Sequence, residues 1–136
     1  TASKGEDRYR RAVYTYVRRT SGYPGLLTFD MPMRDVCSAR RIPTNTPLQA
    51  LVTLNDPAYI EMADALAKRM IQSGGELRQQ IEWGCRLLTL EDPAESVVAP
   101  LMKLHAKVLE QNPGNLQKAM LLVANTLLNL DASLNR

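Results

Sequence analysis

Apolar residues along this chain recur at the spacing of a helix face. Tyr9, Val13, Tyr16 and Val17 fall on one side of a first segment, with Arg10, Arg11, Arg18 and Arg19 spread over the remainder. Ile60, Ala63, Ala67 and Ile71 form a second stripe, and Leu77, Ile81, Cys85 and Leu88 a third. Val97, Leu101, Leu104 and Val108 follow, then Leu116, Met120, Val123, Leu127 and Leu130. No stretch alternates as a half-buried strand would.

Proline supplies the punctuation. Thr46-Pro47, Asp56-Pro57, Asp92-Pro93 and Asn112-Pro113 each set a capping side chain before a residue that loses no needed donor in a first helical turn. Thr46, Asp56, Asp92 and Asn112 are therefore the expected caps. Gln49 and Glu95 stand three residues after the caps Thr46 and Asp92, the spacing of a capping box. Gly74-Gly75 marks a stop. Together these signals predict helices over 7–20, 47–54, 57–73, 75–90, 93–111 and 113–130. The expected fold is all-α, a compact bundle or array of about five to six helices.

Residues 21–46 break the pattern. Ser21-Gly22, Tyr23-Pro24-Gly25, Asp30-Met31-Pro32 and Ile42-Pro43 crowd too many breakers together for a long helix. Tyr23, Leu26, Leu27, Phe29 and Val36 offer surface worth burying, so the expectation is one long ordered loop, and loops of that length are usually functional.

Composition adds scale. With 136 residues, 45% apolar and 5% aromatic, the chain matches a single helical domain over 1–136. Thr1-Ala2-Ser3-Lys4-Gly5 does not read as a natural start, so the expectation is a C-terminal piece of a larger protein. No apolar run is long enough to span a bilayer. The charge is uneven: residues 1–45 hold nine Lys/Arg against four Asp/Glu, and the rest hold eight against ten. That excess is too weak for a nucleic-acid stripe, and no nucleic-acid partner is expected.

Candidate chemistry is sparse. Cys37 and Cys85 belong to no C-x-x-C pair and no haem-attachment motif, so no metal or cofactor site is expected; whether they are free or disulfide-bonded is left open by their spacing. The sequence contains no nucleophile elbow, P-loop or zinc-protease signature, so no catalytic residue is assigned and the segment is read as non-enzymatic. His105, beside the apolar Leu104, is read as a partly buried structural residue. Arg34, Arg40 and Arg41, with Arg18 and Arg19, offer guanidinium forks either to carboxylates of Asp30, Asp35 and Asp56 or to an anionic ligand. Asn45 and Gln49 sit at a helix start whose exposed N–H groups favour an anion, although the capping box already accounts for Gln49 without a ligand and the cluster is read first as capping and turn formation. The candidate interface or anion-binding residues are thus Arg19, Arg34, Arg40, Arg41, Asn45 and Gln49.

Asp7-Arg8-Tyr9-Arg10-Arg11-Ala12-Val13-Tyr14-Thr15-Tyr16, Leu27-Thr28-Phe29-Asp30, Arg34-Asp35-Val36-Cys37 and Thr44-Asn45-Thr46-Pro47-Leu48-Gln49-Ala50-Leu51 resemble a bacterial family of unknown function called PSD-one. Leu54-Asn55-Asp56-Pro57 continues the likeness, and Val123 to Asp131 resembles the family's final helix. The resemblance implies a planctomycete-type exported protein, periplasmic or at the cell surface, with this domain at its C-terminal end. It also implies upstream cytochrome c-like domains, so that haem would belong to those domains and not to this segment. The resemblance implies no reaction; the leading reading of function is a non-catalytic module docking on other domains of the same protein. An anionic polysaccharide binder is the alternative, and a part of an enzyme or electron-transfer protein with its active residues upstream is another.

Overall fold

The computed structural model describes residues 12–14, 22, 24–31 and 44–134. Its contacts divide the chain into two compact units, Thr1–Thr44 and Asn45–Arg136.

In the first unit, Ala12–Tyr14 form a 3-10 turn and Pro24–Thr28 form a short helix, α1. The helix lies inside the segment expected to be irregular. Pro24 explains it: proline fits the first turn of a helix, where its missing N–H costs nothing. The turn closes through Met31 N–H donating to Leu26 O at 3.0 Å, with Asp30 left-handed at φ 56°. Asp30 then accepts from the Thr44 N–H at 2.7 Å, and the Thr44 hydroxyl faces its two oxygens at 2.8 and 2.9 Å. Most of the predicted helix 7–20 lies outside the described residues, as do Cys37 and Arg19, Arg34, Arg40 and Arg41.

The second unit is built from α2 (Pro47–Asn55), α3 (Pro57–Gln72), α4 (Leu77–Thr89), α5 (Glu95–Gln111), α6 (Leu116–Leu128) and α7 (Asp131–Leu134). All described elements are helical, so the fold is all-α. The most extensive packing is α3 on α6, followed by α5 on α6, with α4 against α3, α5 and α6. The core is one cluster: Ala63, Leu66, Ala67 and Met70 of α3, Ile81 and Cys85 of α4, Val98 and Leu101 of α5, and Met120, Val123, Ala124 and Leu127 of α6. Small Ala63, Ala67 and Ala124 let α3 and α6 approach closely, and Leu127 and Met70 fill the space between.

Two expected caps are corrected. α5 starts at Glu95 with Ala94 in the cap position, not at Pro93 behind Asp92. The Asp92 carboxylate is taken instead by the Arg86 guanidinium, across a turn in which Leu90 ends α4 in left-handed backbone. Asn112 ends α5 instead of starting α6: its amide donates to Val108 O at 3.3 Å while Lys118 Nζ donates to its Oδ1 at 2.9 Å. Gly114, left-handed at φ 83°, prevents a helix from running on from Pro113, and Asn115 caps α6 by accepting the Lys118 N–H at 2.9 Å. At the other two positions, Thr46 Oγ1 accepts the Gln49 N–H at 3.3 Å and Asp56 Oδ1 the Ala58 N–H at 2.8 Å.

Candidate functional site

Of the six expected interface residues, the described structure contains Asn45 and Gln49, and both lie where α2 meets the end of α6 and the start of α7. Gln49 closes a capping box, its Oε1 accepting the Thr46 N–H at 2.9 Å while its own N–H returns to Thr46. Asn45 Nδ2 donates to Asp131 Oδ1 at 2.8 Å and so ties the residue before the α2 cap to the first turn of α7, 86 positions away.

The same seam holds polar residues that sequence reasoning overlooked. Thr53 is completely buried, and its hydroxyl lies 2.5 Å from Asn129 Oδ1 and 3.0 and 3.1 Å from the carbonyls of Ala50 and Gln49. Asn125, one turn before Asn129, donates through Nδ2 to Leu54 O at 3.4 Å. That carbonyl belongs to the last turn of α2, where no intrahelical donor follows, so Asn125 supplies a partner the helix itself lacks. Ser133 Oγ donates to Leu127 O at 2.8 Å and fastens α7 to the end of α6. The missed signal was Asn125 and Asn129 four apart at the end of a helix whose other buried residues are all apolar.

This bonding gives α2 an unusual polarity. Gln49 and Thr53 are 3% and 0% exposed, whereas Leu48, Leu51 and Leu54 are 56%, 60% and 43% exposed. At about 100° per residue the three leucines span an arc of about 120°, and Pro47 and Asn55 fall on the same side. The polar residues face the protein and the leucines face outward. The helix carries no charged residue along its length.

Two reactive groups among the described residues lie away from the seam, and burial shapes both. Cys85 is a free buried thiol whose pKa burial pushes up, with Glu82 adding to the effect, so it stays protonated and a weak nucleophile. His105 is 5% exposed, and its Nε2 has no hydrogen-bond partner among the described residues; desolvation holds its pKa below the ordinary value. The described residues contain no group of His, Cys, Asp or Glu positioned to hold a metal. No helix among them is long and apolar enough to cross a membrane.

Fold and seam together define a small all-α module in which α2 is held by polar side chains from α6 and the residues that follow it. The chain belongs to the family described as PSD1, protein of unknown function (DUF1553), which matches residues 1–105. The matched region contains the motifs up to Pro57, while the resemblance at 123–131 lies beyond it. No curated protein and no solved structure matches the chain. Two of the segments that carry the resemblance, 45–57 and 123–131, meet at the α2 seam.

Proposed function

We propose that this chain is a non-catalytic interaction module of an exported multidomain protein, and that the leucine face of α2 is the surface that docks on the other domains. The carrying observation is the reversed polarity of α2. Exposing three leucines on one short, uncharged face while burying Gln49 and Thr53 is unfavourable for a helix that ends at water, because each half-covered leucine forgoes roughly half of the about 1.5–3 kcal/mol that full burial provides. It is the expected arrangement for a helix that is covered on its outer side. The hydrogen bonds to Asn125, Asn129 and Asp131 fix α2 on its inner side, so the leucines are presented without further ordering, which lowers the entropic cost of association. The absence of charge on α2 points to an apolar partner surface, of the kind buried between domains of one polypeptide.

The test is amide hydrogen exchange of α2, measured in the isolated chain and in a longer polypeptide carrying the preceding domains. Slower exchange of residues 48–55 in the longer protein is expected, and replacing Leu48 and Leu51 with Ser should abolish the difference while leaving the melting temperature of the isolated chain within a few degrees. Identical exchange in the two proteins would overturn the reading.

A further inference from the structure

The corner between α3 and α4 carries a concavity that the α2 seam does not use. Gly74 and Gly75 both take left-handed backbone, at φ 75° and 82°, a conformation other residues resist. The space beside them measures about 440 Å³ and is bordered by Ser73, Gly75, Gln79, Glu82, Trp83 and Arg86. The four α4 residues follow i, i+3, i+4, i+7 spacing and so share one helix face.

Each polar group on that face is anchored at one end and open at the other. Gln79 Oε1 accepts the Glu76 N–H at 3.1 Å, which leaves its two amide hydrogens. Arg78 Nε donates to Glu82 Oε1 at 2.9 Å, which leaves Oε2. Arg86 gives its Nε–H to Asp92 and keeps its terminal N–H groups. The Arg69 guanidinium lies 5.7 Å from the centre of the Trp83 ring and does not border the concavity, so it pins the ring while leaving part of it open to the space.

We propose that this face of α4 binds a neutral saccharide unit. Sugar hydroxyls both donate and accept, which matches a carboxylate oxygen, an amide and a guanidinium set side by side. The C–H edges of a pyranose are weakly positive and apolar, suited to the π-surface of Trp83. Other ligand classes fit less well. An anion would meet Glu82, a cation would meet Arg86, and both charges are already partly neutralised by Asp92 and Arg78. A lipid would need an apolar wall, but Trp83 is the single large apolar side chain at the border.

Trp83 is the chain's one tryptophan, so its emission reports directly on the site. Titration with cellotriose, maltotriose, xylotriose and laminaritriose should shift or quench it with at least one sugar, at the millimolar affinity expected of a shallow, hexose-sized contact. The response should not depend on salt, because no net charge is matched. Arg86→Ala should weaken binding about fivefold to tenfold without changing the melting temperature, since its ion pair is exposed. No response to all four sugars would overturn the proposal. So would a response that Arg86→Ala leaves intact, or one that appears only with sulfated or carboxylated sugars and fades with salt.

Discussion

Replacing Thr53 with Val tests whether the α2 seam is held by its polar contacts. The substitution keeps the shape and β-branching of a fully buried side chain and removes the hydroxyl that meets Asn129 Oδ1 at 2.5 Å. Losing a net hydrogen bond costs about 0.5–1.5 kcal/mol, and a partner left unsatisfied costs about 1–3 kcal/mol more when it is cut off from water. Asn129 is half-buried, so water can replace part of what it loses and the lower end of that range applies. The added methyl recovers up to about 0.8 kcal/mol of apolar burial. The net expectation is a loss of about 1–2 kcal/mol. With an m-value of about 1–2 kcal/mol/M for a chain of this size, the urea midpoint should fall by about 1 M at unchanged m. A double-mutant cycle with Asn129→Ala should give a coupling of at least about 0.5 kcal/mol. A change in stability below about 0.5 kcal/mol, or a coupling indistinguishable from zero, would refute the reasoning and leave α2 held by packing alone.

Gly84→Ala should destabilise despite its better helix propensity: a Cβ there would stand 2.9 Å from Sδ and Cε of fully buried Met70, so about 1 kcal/mol of propensity gain is set against about 1–3 kcal/mol of overpacking. The net loss, up to about 2 kcal/mol by thermal melting, should shrink in a Met70→Ala background. Acid should also weaken the fold through His105, whose folded pKa lies below its ordinary 6.5 because of burial. Its contribution is fully present above that unfolded value and is lost as pH falls through the folded one; urea titrations across mild acid should show the decline, and His105→Leu should flatten it. Asp56→Ala should cost about 1 kcal/mol as the loss of a working cap, and Asp92→Ala less than about 0.5 kcal/mol because Asp92 forms an exposed ion pair, a contrast that equilibrium unfolding will register.

The α3–α6 pairing shows why the fold class is legible in the chain. A stripe of period 3.6 can be satisfied only as a helix with one face buried, and the middle positions of the stripes, Ala63, Ala67, Ile81, Cys85, Met120, Val123 and Leu127, are buried. The end positions Ile60, Ile71, Leu77, Leu88 and Leu130 are half-buried, and Leu116 is exposed. The face itself is set less sharply. On α5 the buried side runs through Val98, Leu101, His105 and Val108, which sets His105 inside and leaves Leu104 half-buried. A stripe fixes a face to within one position, and the neighbouring helices choose between adjacent candidates.

Caps divide along the same line. Thr46 and Asp56 act locally, through bonds to N–H groups two or three residues on, and local chemistry is what a sequence displays. Asp92 and Asn112 carry the same signal. A left-handed Leu90 before the first and a left-handed Gly114 after the second displace the helix starts and release both side chains to other partners.

The sequence by itself determined that the chain is helical, where most of its helices run and to which family it belongs, because periodicity, capping and motif order are properties of neighbours along the chain. Only the tertiary structure decided that α2 turns its polar residues inward and its leucines outward. The partners responsible, Asn125, Asn129 and Asp131, lie more than seventy positions from the residues they bond and come into reach only when α6 packs on α3. The same holds for the Trp83 concavity, whose border exists only once two consecutive glycines have turned α3 into α4.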